Sequence, residues 1–62
     1  MSTLCIQLEH PDWPGEPVGA MVTVDKDMKP IQLVIMRWQP IEHYSPYITD
    51  QVAEAIRTGN FA

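Results

Sequence analysis

The pair Glu-His occurs twice in this 62-residue chain, as Glu9-His10 and Glu42-His43, with Cys5 and Asp12 near the first pair. Imidazole, thiolate and carboxylate are the donor set of a zinc centre, which makes a bound water acidic enough to attack a substrate. Such ligands come in local pairs, about two to four residues apart, because a short turn must aim both at one ion. No two of these residues form a Cys-x-x-Cys or His-x-x-x-His pair. A nucleophile would need Cys5 or a serine beside a base. Cys5 lies between Leu4 and Ile6, where burial would make a thiol inert. Ser45 is two residues from His43, but its position suits a helix cap. Asp50 and Glu54 share a helical face on the side away from Ile48 and Val52, where solvent keeps carboxylates ordinary. Asp25-Lys26-Asp27 begins like a calcium loop but lacks the later glycine and the closing glutamate. The three glycines are isolated, so no phosphate loop exists. The expectation is no catalytic residue, no metal ligand and no cofactor. The alternative in the enzyme class is a metal- or ligand-binding small enzyme subunit using His10 and His43.

Eight acids against four bases give a formal charge of −4. Lys26, Lys29, Arg37 and Arg57 are scattered, whereas a phosphate backbone calls for clustered cations. Nucleic-acid binding is not expected. An acidic chain can instead occupy a nucleic-acid-binding groove as a mimic, a second alternative. A charge of this size is also what ordinary solubility calls for.

Cys5 is the only cysteine, so no disulfide closes within the chain. No apolar run reaches the ~18 residues of a membrane span. Met1-Ser2-Thr3-Leu4 carries no basic cluster of the kind that opens a signal peptide. These points predict a cytoplasmic protein.

The elements that must position any site follow from periodicity. Thr3 to Glu9 alternates strictly, with Leu4, Ile6 and Leu8 on one side and Cys5, Gln7 and Glu9 on the other, the pattern of a half-buried strand. His10 to Pro17 holds three of the six prolines, which predicts a stiff loop with Pro14-Gly15 at the centre of a type II turn. Val18–Val24 reads as a second strand. Asp25–Pro30 reads as a hairpin turn and Ile31–Trp38 as a third strand, apolar on both faces. A helix follows, with Ser45 as N-cap, Pro46 at its first position, Ile48, Val52, Ala55 and Ile56 on one face, and Gly59 as its stop. Phe61 should fold back onto that face. The predicted fold is α+β, a three-stranded antiparallel sheet followed by one C-terminal helix (βββα), in a single domain of residues 1–62.

One helix covers one side of a sheet. The third strand therefore predicts a second apolar face that a loop or another copy of the chain must cover. The candidate interface residues are Val34, Met36 and Trp38 on that strand, with Trp13, Tyr44 and Tyr47 at loops and element ends, since Trp, Tyr and Met are enriched at interfaces. Trp13 is expected to fold back on the core, where its apolar area would count most. The segment Ile48–Phe61 resembles in style the short terminal helices of many small bacterial and phage proteins. The expected function is a small non-enzymatic protein–protein interaction module, a homodimer through its sheet, binding or inhibiting a larger bacterial or phage-related protein.

Overall fold

The computed structural model describes residues 1–62. Strands β1 (Ser2–Glu9), β2 (Pro17–Val24), β3 (Pro30–Val34) and β4 (Trp38–Pro40) form an antiparallel sheet in chain order. A single turn of 3-10 helix (Ile41–His43) leads to the helix α1 (Pro46–Thr58). The α+β class is as expected, with four strands rather than three. The predicted third strand breaks because Ile35–Arg37 bend, and the chain returns so that Trp38 pairs with Val34 and Gln39 with Leu33. The segment Ile35-Met36-Arg37 contains no Gly, Pro, Asn or Asp, so nothing local marks the turn.

Alternation in β1 and β2 is in phase across the pair, with Leu4 opposite Val22 and Ile6 opposite Ala20. One face thus collects Leu4, Ile6, Leu8, Ala20, Val22, Val24 and Leu33, and α1 lays Ile48, Val52 and Ala55 on them. These ten residues are the whole buried set, and none is polar. Ile35, Ile41, Tyr44, Ile56 and Phe61 close its rim. Pairing between β2 and β3 slips by one residue at Thr23/Val24. Ile31 is left without a cross-strand partner and lies exposed, although alternation alone put it with Leu33.

The turns follow local chemistry. Glu16 N–H donates to the Trp13 carbonyl at 3.3 Å, with Gly15 at φ 83°, which makes Trp13–Glu16 the type II turn expected of Pro14-Gly15. In the β2–β3 loop the Asp25 carboxylate accepts the amides of Asp27 (2.8 Å) and Lys29 (2.9 Å). Met28 donates to the Asp25 carbonyl and sits at φ 63°, a left-handed position without a glycine. The Lys29 amide, first among several influences, holds the Asp25 carboxyl below its usual range.

Pro46 opens α1 as expected, but the Ser45 side chain makes no cap bond; its carbonyl accepts from Ile48 and Thr49. At the other end Gly59, at φ 72°, donates to Ile56, and Asn60 donates to Ala55 at 2.9 Å, a Schellman ending. That turn throws the last residues against β1. Ala62 and Cys5 exchange two backbone hydrogen bonds, at 2.8 and 2.9 Å, while Phe61 packs on the core.

Candidate functional site

The face of the sheet away from α1 has no cover. Its residues alternate with the core set along each strand, and the register arranges them in rows. Cys5 faces Met21, Met21 faces Val34, and Val34 faces Trp38, so one row crosses all four strands. Beside it run Thr3, Thr23, Gln32 and Pro40. On the other flank Gln7 faces Gly19. Trp38 is 48 % exposed and Met21 42 %, while Val34 is half-buried by its neighbours.

Relief along the row is uneven. Trp38 stands at the β4 end. Toward β1 the surface dips into an open hollow lined by Cys5, Gln7, Gly19, Met21 and Val34 and bounded by the C-terminal residues Gly59–Ala62. Gly19 leaves part of that hollow empty, since a Cβ built there would meet no atom within 4 Å.

Charge is nearly absent from this face; Glu9 at its corner is the exception. The other seven acids lie in the two long hairpin loops (Asp12, Glu16, Asp25, Asp27), on the 3-10 turn (Glu42) and on α1 (Asp50, Glu54). Depletion of charge together with Trp and Met is the composition of an interface centre.

Both sheet edges are partly obstructed against further strand pairing. Along β1, Ala62 occupies the outward groups of Cys5. The Gln51 side chain does the same at Glu9: its Oε1 accepts the Glu9 amide at 2.7 Å and its Nε2 donates to the Glu9 carbonyl at 2.9 Å. A third bond, from Nε2 to the Tyr47 carbonyl, fixes the amide in place. At the other edge β4 is only three residues long and ends in Pro40, which has no amide hydrogen.

The six candidate interface residues separate. Val34 and Trp38 meet on the open face, as cross-strand neighbours rather than as alternate residues of one strand. Met36 is 83 % exposed at the tip of the β3–β4 bend, outside the alternation. Trp13 stays in its loop, with its ring 4.5 Å from that of His10, and does not cap the core; two turn bonds, from its amide to the His10 carbonyl and from the Glu16 amide to its own carbonyl, hold its backbone there. Tyr44 packs on the core rim and donates its hydroxyl to the Leu33 carbonyl at 3.0 Å. Tyr47 is half-exposed on the first turn of α1, beside Glu9.

Cys5 is exposed, against the expectation of a buried thiol, because nothing covers its side of β1. Met21 and Gly19 were not anticipated as site residues. Alternation in the second strand already placed Met21 opposite Val22, but without the register its neighbours were unknown.

The residues that suggested chemistry stay apart. No three His, Cys, Asp or Glu side chains gather in one place. His10 Nδ1 accepts the Asp12 amide at 3.1 Å, a bond that requires the neutral ring. The Asp12 carboxylate, 3.7 Å from the same nitrogen, attracts only the protonated ring, so the two arrangements are alternatives. Glu54 and Arg57 pair on the exposed side of α1, which lowers the glutamate's pKa and raises the arginine's. No helix is long and apolar enough to cross a membrane. In comparisons with known proteins, the chain matches no family, no curated protein and no solved structure.

Proposed function

We propose that the chain is a non-enzymatic protein-binding module of the cytoplasm, and that its working surface is the open face of the sheet. The observation that carries this reading is the uncharged row Cys5–Met21–Val34–Trp38 on a chain of net charge −4. A face of that composition tolerates water, yet covering it spares the large cost of stripping water from charges, because it holds almost none. The obstructed edges favour binding at the face over strand addition. The unpaired thiol of Cys5 at the surface suits a reducing compartment.

Affinity capture with the wild-type chain and with Met21→Lys tests the reading. Met21 points to solvent, so the variant keeps its fold, as circular dichroism would confirm. A protein retained by the wild type and lost by Met21→Lys is the expected result. Equal retention by both would move the working surface elsewhere.

A further inference from the structure

We propose that the open face is occupied by a second copy of this chain, sheet against sheet, with Trp38 of each copy seated over the Gly19 hollow of the other. This rests on the reading above that the face is the working surface. Three observations select the chain itself as the occupant.

The first is charge. Two copies of a −4 chain repel one another, and the repulsion is least where the contact itself carries no charge. The open face meets that condition except at its Glu9 corner, and the acids lie in loops and on the opposite side of the molecule.

The second is relief. The row from Cys5 to Trp38 spans three inter-strand gaps of about 4.8 Å, close to 14 Å in all. A two-fold axis parallel to the strands, between β2 and β3 and midway between the sheets, carries β4 over β1 and β3 over β2. Val34 of one copy then meets Met21 of the other, and Trp38 lands at the β1 end of its partner's row. The hollow lined by Cys5 and Gly19 is at that end. Knob and hollow therefore sit where one operation exchanges them, the condition for a closed, isologous pair.

The third is area. At about 16 Å² of footprint per sheet residue, from strand rise and spacing, the face measures roughly 400 Å² flat. Side-chain relief brings the total buried by two copies to about 1,000 Å², the lower bound of a specific interface. The dimer is accordingly a weak, concentration-dependent one.

Sedimentation velocity over the micromolar-to-millimolar range, with Gly19→Val and Met21→Lys beside the wild type, tests the proposal. Gly19→Val puts a β-branched side chain into the hollow at a strand position where a Cβ meets no atom of its own copy within 4 Å; circular dichroism checks that the variant keeps the wild-type fold. Wild type should rise from the mass of one chain to that of two, with Trp38 emission shifting to the blue and Cys5 alkylation slowing as the mass rises. Both variants should stay at one chain and keep concentration-independent alkylation. A wild type that holds the mass of one chain throughout overturns the self-association alone, provided Met21→Lys still loses the captured protein. A dimer that survives both variants overturns this proposal, while capture by the wild type and by Met21→Lys decides the open face as working surface separately.

Discussion

The two faces of this sheet are made by the same strands and differ in everything but their backbone. On the covered face β1 presents Leu4, Ile6 and Leu8, and on the open face Thr3, Cys5 and Gln7. The covered face is purely aliphatic, and its seven residues, with the three that α1 lays on them, are every buried position of the chain. The open face mixes hydroxyl, amide, thiol, thioether and indole groups. A 13-residue helix is about 20 Å long and can roof only one side of four strands. The difference teaches that alternation assigned stability to one side and left the other free to take part in binding.

The largest expected effect comes from truncating the covered face. Leu33→Ala should cost about 2–5 kcal/mol, a large part of the roughly 3–9 kcal/mol available to a chain of this size. At its neighbour on the open face, Val34→Ala in dilute solution should cost less than about 1.5 kcal/mol, because a half-buried side chain leaves a smaller void. Urea denaturation of both variants measures the contrast. Equal losses would show that the two faces are not distinct.

Next comes the edge that joins the faces. Gln51→Ala removes the amide that closes β1 at Glu9 and should cost about 1–2 kcal/mol through its lost hydrogen bonds. Gln51→Glu should recover little, since a carboxylate has no hydrogen to donate to the Glu9 carbonyl. Thermal unfolding reports the loss, and amide exchange at Glu9 should speed up in both variants.

A smaller change of opposite sign is expected in the β2–β3 loop, remote from both faces. Met28→Gly relieves a left-handed position and should stabilise by up to about 1 kcal/mol. Its test is a higher midpoint in urea with no change in sedimentation.

The smallest effect is electrostatic. Folding lowers the pKa of Asp25, through the amides of Lys29 and Asp27, and of Glu54, through Arg57. The stability from a lowered carboxyl is fully present above its unfolded value and is lost as pH falls through the folded one. Acid should therefore weaken the fold below the ordinary carboxylate range, and Asp25→Ala should flatten that decline. A titration of stability against pH that is equally steep in the variant would remove Asp25 from this account.

Much of this was legible in the chain because it is local. Strict alternation in residues 3–9 is visible without knowing any partner. Pro14-Gly15 carries its own turn, and Pro46 and Gly59 bracket the helix by what each does to the backbone at its own position. Candidate residues fared less evenly. Val34 and Trp38 share a face through the pairing of two strands, and alternation alone puts Met36 with them because the bend at Ile35–Arg37 leaves no mark in composition.

By itself, then, the sequence determined the α+β class, two of the turns, the limits of the helix and which side of β1 is apolar. Each is set by residues within a few positions of one another, where backbone preference and side-chain period act directly. Tertiary structure alone decided the fourth strand, the slip that exposes Ile31, the inward turn of Tyr44 to Leu33 and the closing of β1 by Gln51 and Ala62. It also decided the alignment of Cys5, Met21, Val34 and Trp38 into one row. Those features join residues separated by a turn or by most of the chain, and their energies exist only once the register is fixed.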